Sequence, residues 1–266
     1  MLKLGWFSTG RGEGSRRLLE LVLKQIASGD LSVTIEFVFQ NRERGEAEGS
    51  DQFQDLVRSY GIPLATLSSQ RFRKGRGAGS FSEVRLEFDR EVIRLLEGYQ
   101  PNLSVLAGYM LYTADELCKH FTMINSHPAL PDGPIGTWQQ VIWQLINQQA
   151  NETGAMIHLA TEEWDRGPVI SYFSFPLHGP LFDPLWEQIK GRTINDLRAT
   201  EGERLPLFQR IHEEGGKREP HLLVETIRAF AEGTVRIVDG QMVDAAGNPI
   251  PGYCLNENIE AALGDR

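Results

Sequence analysis

The chain has 266 residues, of which 41% are hydrophobic, and a formal net charge of −9. This length allows one large α/β domain with a real core, and the acidic balance argues against a dedicated nucleic-acid binder. The two cysteines, Cys118 and Cys254, exclude a disulfide framework, and no cysteine or histidine pattern predicts a metal site. No apolar run reaches the roughly 18 residues of a transmembrane helix, so we expect a cytoplasmic protein with no membrane or nucleic-acid partner.

The first half of the chain alternates strand and helix patterns. Strands rich in β-branched and aromatic residues are predicted over 2–7, 33–39, 64–67 and 103–107. Apolar residues at helical spacing predict helices over 16–27, 51–60, 81–97 and 113–120. Between these patterns, residues 71–80 are basic and rich in glycine, which predicts a surface loop.

The second half begins with the same alternation and then changes character. Strands are predicted over 123–125, 153–160 and 169–176, with a helix over 137–147. Residues 183–218 are charged and mixed, 220–232 form an amphipathic helix, and 235–244 form a hairpin that turns at Asp239-Gly240. The pattern predicts an α/β fold, a mainly parallel twisted sheet flanked by helices. We divide it into a core over 1–182, an insertion-like segment over 183–218, and a helix and hairpin over 219–266 that complete the same domain.

Three polar or glycine-rich segments follow predicted strands. They are the glycine-rich turn Gly10–Ser15, the segment Gly108–Met110, and Asn125–His127. Ligands of parallel α/β sheets bind beyond the carboxyl ends of the strands, so we expect these segments to meet at one edge of the sheet. Glycines in a turn that opens a helix suit phosphate binding by backbone amides, although glycines also serve ordinary tight turns.

Asn125, His127 and Asp165 offer an amide, an imidazole and a carboxylate. An amide can hydrogen-bond a developing oxyanion, an imidazole can exchange a proton at neutral pH, and a carboxylate can orient that imidazole. The trio suits acyl transfer to an amine without a serine or cysteine nucleophile. Taken alone, each residue is better explained by a structural role, as a strand-end asparagine, a surface histidine or a turn aspartate.

With these motifs in place, the chain resembles the folate-dependent formyltransferases, and within that family most closely the members that act on phosphoribosylglycinamide. The paired Asn-x-His-Pro and Asp-x-Gly-Pro-Val-Ile motifs carry most of the resemblance. The matching segments are 10–16, 105–110, 124–128, 153–158, 165–170, 219–233 and 247–253. The resemblance implies 10-formyltetrahydrofolate as co-substrate, no metal, and the primary amine of a phosphorylated small molecule as acceptor, with 5-phosphoribosylglycinamide the leading candidate.

The resemblance also implies residue roles. Asn125 would hold the formyl oxygen as it becomes an oxyanion, His127 would be its cationic partner, and Asp165 would raise the pKa of His127 and relay a proton. The folate would lie against Leu106, Ala107, Gly108, Tyr109, Met110, Glu162 and Trp164. The amine substrate would be bound by Gly10, Gly12, Gly14, Ser15, Arg16 and Glu219. His158 is expected either as a packed core residue or as support for the catalytic group.

Two departures from the family pattern leave the acceptor open. Leu111 stands where an arginine is common, and Gly136–Gln140 replaces a pattern with two histidines. The alternatives are a formyltransferase for another amine such as an amino-sugar nucleotide, a formyltetrahydrofolate hydrolase, and a non-catalytic folate-binding protein. The purpose of residues 183–217, and the choice between monomer and homodimer, are also left open.

Overall fold

The computed structural model describes residues 1–163 and 166–264. In these described ranges, ten strands lie in two sheets, one of eight strands and one of two. The strands are β1 (Leu2–Ser8), β2 (Val33–Gln40), β3 (Leu64–Thr66), β4 (Leu103–Leu106), β5 (Met123–His127), β6 (Glu152–Leu159), β7 (Val169–Pro176), β8 (Val235–Val238), β9 (Gln241–Asp244) and β10 (Tyr253–Cys254).

Helices connect most of these strands. They are α1 (Glu13–Ser28), α2 (Glu48–Ser59), α3 (Ser69–Gly75), α4 (Arg85–Leu95), α5 (Asp115–His120), α6 (Trp138–Gln148), α7 (Asp183–Ile189), α8 (Ile194–Thr200), α9 (Pro206–Glu232) and α10 (Asn256–Gly264). Short 3₁₀ turns cover Phe81–Glu83 and Gly202–Arg204. Within the ranges described, no helix is long and apolar enough to cross a membrane.

The large sheet confirms the predicted fold class. Its strand order is β10-β7-β6-β5-β4-β1-β2-β3, and β1 pairs in parallel with both β2 and β4. The chain builds outward from β1 to β2 and β3, then returns to the other side of β1 with β4. The loops after β1 and β4 therefore flank the point where strand order reverses, which is where such sheets bind ligands. The predicted hairpin is confirmed as β8 and β9, and its turn residues Asp239 and Gly240 both have positive φ.

The chain forms two compact units, and the division into a core, an insertion-like segment and a C-terminal completion stays a prediction. The first unit holds Met1–Asn125, His158–Pro168 and Arg228–Asn248. The second holds Ser126–Ile157, Val169–Ile227 and the segment from Pro249 onward.

An aromatic cluster forms the core of the first unit. The Phe7 ring is fully buried and lies 5.5 to 6.0 Å, centroid to centroid, from the rings of Phe37, Phe39, Tyr109 and Phe121. Edge-to-face pairs at such distances add to the free energy of burial, by about 0.5–1.5 kcal/mol each. Because Tyr109 belongs to this cluster, the loop after β4 is held against the core of the unit.

Residues 71–80 were predicted to form a surface loop, but the first part of this segment is helical, because α3 covers Ser69–Gly75. The Ser68 hydroxyl accepts a hydrogen bond from the backbone amide of Arg71 and so caps the helix. The Arg71 guanidinium also pairs with Glu43 and Glu46, which lie far away in the sequence. These distant carboxylates stabilise a helix that the local composition does not predict.

The amphipathic helix predicted over 220–232 is the second half of α9, which begins at Pro206. Its first half lies in the segment of unassigned purpose, which packs against α6 in the second unit. Phe208 is fully buried, with its ring 5.8 Å from Trp138 and 5.0 Å from Trp143, and the Arg198 guanidinium lies 5.1 Å from the Trp143 ring centre. The segment therefore supports the helix that follows His127 along the chain.

Candidate active site

The loops after β1 and β4 are hydrogen-bonded to each other in the first unit. The Ser8 hydroxyl donates to the Ala107 carbonyl at 2.7 Å, and the Thr9 amide donates to the Gly108 carbonyl at 3.0 Å. The amide of Met110 in turn donates to the Thr9 hydroxyl at 2.9 Å. These bonds confirm that the glycine-rich turn and the segment Gly108–Met110 meet at one edge of the sheet.

The glycine-rich turn opens α1 with Gly12 as its N-cap. A glycine offers no capping oxygen, so the first-turn amides are left for solvent or an anion. Gly10 has a φ of 62°, and a Cβ there would lie 2.5 Å from Gln40 Nε2, so this position requires glycine. Gly14 faces open space. The turn thus has the geometry that a phosphate group needs.

Gly49 lies beside the glycine-rich turn, and the sequence analysis did not identify it. A Cβ on Gly49 would lie 2.0 Å from the Arg11 carbonyl oxygen, so α2 approaches the turn at backbone distance. The Arg16 guanidinium donates to the Gly49 carbonyl at 3.3 Å. A glycine in the first turn of a helix is the signal that would have marked this position.

A cavity in the first unit lies at the end of β4. It is lined by Leu106, Tyr109, Leu111, Tyr112, Thr113, Asn125, His158, Ala160, Thr161, Glu162 and Glu163. Of the residues expected to hold the folate, Leu106, Tyr109 and Glu162 line this cavity, whereas Ala107, Gly108 and Met110 do not. Met110 is 78% exposed, and Trp164 lies outside the described residues.

The lining suits a flat heterocycle. Leu106, Tyr109 and Leu111 form an apolar wall, while Asn125 and Glu162 supply hydrogen-bonding groups. The cavity holds about 40 Å³, which is room for a few water molecules but not for a pterin ring. A pterin ring therefore needs more room than this cavity holds.

Asn125 is oriented by His158. From the sequence, His158 was expected either as a packed core residue or as support for the catalytic group. His158 is 2% exposed, and its Nδ1 lies 3.1 Å from the Leu159 carbonyl oxygen. A carbonyl can only accept, so we assign the proton to Nδ1, and Nε2 of the neutral ring is then an acceptor. Asn125 Nδ2 lies 3.4 Å from that Nε2 and donates to it. The Asn125 amide is thereby fixed with its nitrogen toward His158.

His127 lies in the second unit, as the last residue of β5 rather than just beyond the strand as predicted. Its side chain is buried at 3% exposure, and Nε2 lies 3.0 Å from the Pro134 carbonyl oxygen. By the same argument, Nε2 carries the proton in this bond. The Pro134 carbonyl thus sets the ring orientation and the tautomer of neutral His127.

The altered segment Gly136–Gln140 has a structural role in the second unit. Thr137 and Gln140 form a capping box at the start of α6, with the Thr137 amide donating to Gln140 Oε1 at 2.8 Å. Gly136 has a φ of 128°, and a Cβ there would lie 2.4 Å from Gln140 Oε1. Gln144 Nε2 donates to the Ile135 carbonyl at 3.1 Å. These bonds tie the loop that contacts His127 to α6.

Glu219 and Asp165 complete the set of residues expected at the site. Glu219 is partly buried in α9 of the second unit, and burial raises the pKa of its carboxyl. Asp165 lies outside the described residues, so its predicted role stays a prediction.

The comparisons with known proteins identify the family to which the chain belongs. The formyl transferase family model matches residues 12–177, which is more than half of the chain. The chain therefore belongs to the formyl transferase family, whose formyl donor is 10-formyltetrahydrofolate.

Two kinds of relative match the chain to a similar degree. It is 28% identical over 170 residues to phosphoribosylglycinamide formyltransferase of Escherichia coli K12, covering 62% of this chain and 70% of that one. It is 27% identical over 161 residues to formyltetrahydrofolate deformylase of the same organism, covering 59% of this chain and 53% of that one. The chain thus spans about half the length of this deformylase.

Solved structures of both kinds share the fold. The phosphoribosylglycinamide formyltransferase of Coxiella burnetii has a TM-score of 0.63 at 21% identity, covering 95% of this chain and 98% of that chain. A formyltetrahydrofolate deformylase of Pseudomonas syringae has a TM-score of 0.60 at 20% identity, covering 91% and 65%. At these identities the likeness concerns the fold alone.

Proposed function

We propose that this cytoplasmic enzyme transfers the formyl group of 10-formyltetrahydrofolate to the primary amine of a phosphorylated small molecule, with 5-phosphoribosylglycinamide as the leading acceptor. The proposal rests on one contact in the first unit. A Cβ on Gly108 would lie 2.6 Å from the Ser15 hydroxyl oxygen, so the start of α1 touches the loop after β4. The anion-binding turn and the cavity beside Asn125 therefore adjoin, as an enzyme that joins a phosphorylated amine to a folate requires.

Each residue set has a role in this reaction. Backbone amides at Gly12, Gly14 and Ser15 would bind the phosphate, with Arg16 adding positive charge. The pterin would enter the cavity against Leu106 and Tyr109 once the cavity has widened.

The amine then attacks the formyl carbon, and the carbonyl oxygen becomes an oxyanion. Asn125 Nδ2, already held by His158, donates its second hydrogen to that oxygen. A donor of this kind is worth about 10²–10³ in rate. His127 stands two residues further along β5 and would stabilise the oxyanion in its protonated form, with Asp165 as the carboxylate that favours this form. The amine loses a proton as the carbon–nitrogen bond to the folate breaks, and that folate nitrogen gains one.

A second candidate is deformylation, in which water replaces the amine. The observation that favours it is the similar identity of the chain to a formyltransferase and to a deformylase. The anion-binding turn at α1 favours the transferase, because water needs no phosphate site.

Product analysis separates the two candidates. The purified protein is incubated with donor labelled with ¹³C in the formyl group and with a panel of amines that includes 5-phosphoribosylglycinamide and amino-sugar nucleotides. Mass spectrometry then identifies the labelled product. Label on one phosphorylated amine supports the transferase, and labelled formate without any formylated amine would replace it with the deformylase.

A further inference from the structure

Asp89 is a buried carboxylate on α4, behind the wall of the cavity. Asp89 is only 1% exposed. One of its carboxylate oxygens, Oδ2, accepts a hydrogen bond from the backbone amide of Ala114. Ala114 is the N-cap residue of α5. The other oxygen, Oδ1, is buried and has no hydrogen-bond partner among the residues that the structure describes. A carboxylate left half satisfied in a core is costly, so it requires an explanation.

The bond to Ala114 fixes one end of the cavity wall. Leu111, Tyr112 and Thr113 line the cavity and immediately precede Ala114. The other end is fixed by Met110, whose amide donates to the Thr9 hydroxyl. The wall segment 111–113 is thus held at both ends, and it lines one side of a cavity of about 40 Å³.

A second unsatisfied polar atom belongs to the cavity lining. The Tyr109 hydroxyl is buried and, within the described part of the chain, has no hydrogen-bond partner. Tyr109 lines the cavity. Burial first, and then the charge of Asp89, raise the pKa of that hydroxyl. One orphaned polar atom thus lies in the cavity lining, and another belongs to the carboxylate that holds Ala114.

The surroundings of Asp89 disfavour its ionised form. Burial raises the pKa of Asp89 to about 7, and the Glu116 charge adds to this. The Ala114 amide and the Arg85 guanidinium oppose the rise. The remaining titratable neighbour, Cys118, has a pKa raised mainly by burial, so its thiol stays neutral near pH 7.

We propose that Asp89 is a positioning residue for the folate cavity: through the Ala114 amide it sets how firmly the wall segment 111–113 is held, and so how readily the cavity admits the folate. The identity of the ligand rests on the proposed function, whereas the hold on the wall does not. An ionised carboxylate accepts a stronger hydrogen bond than a neutral acid, so deprotonation of Asp89 tightens the wall and protonation loosens it.

Hydrogen exchange tests the hold on the wall without any ligand. Amide exchange of peptides covering 109–120 is measured by mass spectrometry in the wild type, Asp89→Leu, Asp89→Asn and the control Glu87→Gln. Glu87 is an exposed carboxylate on the same helix. We expect Asp89→Leu to speed exchange of this segment by on the order of tenfold, since it removes a hydrogen bond to a charged group. Asp89→Asn keeps an acceptor oxygen, and Glu87→Gln should match the wild type.

Binding of tetrahydrofolate, kept reduced and followed by fluorescence at pH 6 and pH 8, tests the link to the cavity. We expect affinity to change with pH in the same way in the wild type and in Glu87→Gln, and this dependence to be lost in Asp89→Asn. With an active preparation, Asp89→Leu should change KM for the folate donor at least several-fold while kcat and KM for the amine stay within about twofold.

Unchanged exchange in Asp89→Leu would overturn the proposal, as would faster exchange with unaltered folate affinity. A wild type that binds no tetrahydrofolate would overturn the proposed function alone, because the exchange comparison still decides whether Asp89 holds the wall. Should Asp89→Leu fail to fold, the pH dependence in Asp89→Asn decides instead.

Discussion

Asp89→Asn should remove a pH dependence of stability that the wild type carries. The folded-state pKa of Asp89 is raised from 3.8 to about 7, so the folded protein binds this proton more tightly than the unfolded chain. The stability that the proton contributes is complete below about pH 3.8 and is lost as pH rises through about 7. A shift of about three pKa units corresponds to about 4 kcal/mol across that window. Asparagine does not titrate, so its variant lacks this loss.

The comparison uses urea unfolding of the wild type, Asp89→Asn and Glu87→Gln between pH 5 and pH 8. Relative to the wild type, the free energy of unfolding of Asp89→Asn should rise as pH rises. The rise per pH unit should equal about a tenfold change in the unfolding equilibrium constant, and it should level off above about pH 7. Glu87→Gln, which loses an exposed partner of Arg76, should differ by less than about 1 kcal/mol and show no such slope. A constant difference between Asp89→Asn and the wild type over this range would refute the reasoning.

Three further substitutions test the site. His158→Ala leaves Asn125 unoriented and should lower kcat by on the order of 10²-fold with little change in either KM, as steady-state kinetics would show. Gln144→Leu frees the loop that contacts His127, the proposed catalytic histidine, and should lower kcat about tenfold, whereas Gln148→Leu, exposed on the same helix, should leave it unchanged. Gly49→Ala forces α2 away from the glycine-rich turn and should raise KM for the phosphorylated amine without affecting folate binding. Equal effects on both substrates would contradict that assignment.

The order of elements was predictable because the burial pattern of each strand and helix is local. β1 and β7 match their predicted ranges to within a residue, since apolar residues recur along the whole length of both. The predicted start of α6 agrees to within a residue, since Thr137 three residues before Gln140 is a capping pattern and the helix begins just after Thr137. Local chemistry sufficed in these places.

Elements that depend on distant partners were not predictable. Helix α9 runs through Gly215, Gly216 and Pro220, which locally favour a break. It persists because Phe208 is buried against the aromatic rings of α6, a contact between residues about 70 positions apart. The contribution of Asp89 to the cavity wall is hidden for the same reason, since nothing in the sequence around it indicates a bond to Ala114.

For the candidate active site, the sequence indicated which segments contribute residues, but not how neighbouring side chains orient those residues. Leu106, Tyr109 and Asn125 were identified from motifs at strand ends, and they line the cavity. The orientation of Asn125 by His158 depends on which ring nitrogen meets a backbone carbonyl, and this is visible only in three dimensions.

The most direct test is the spectrophotometric release of tetrahydrofolate from 10-formyltetrahydrofolate, with and without 5-phosphoribosylglycinamide, in the wild type and in His127→Ala. The account predicts rapid release that requires the amine and falls by at least 10²-fold in the variant. Release at the same rate without the amine, or an undiminished rate in His127→Ala, would contradict it.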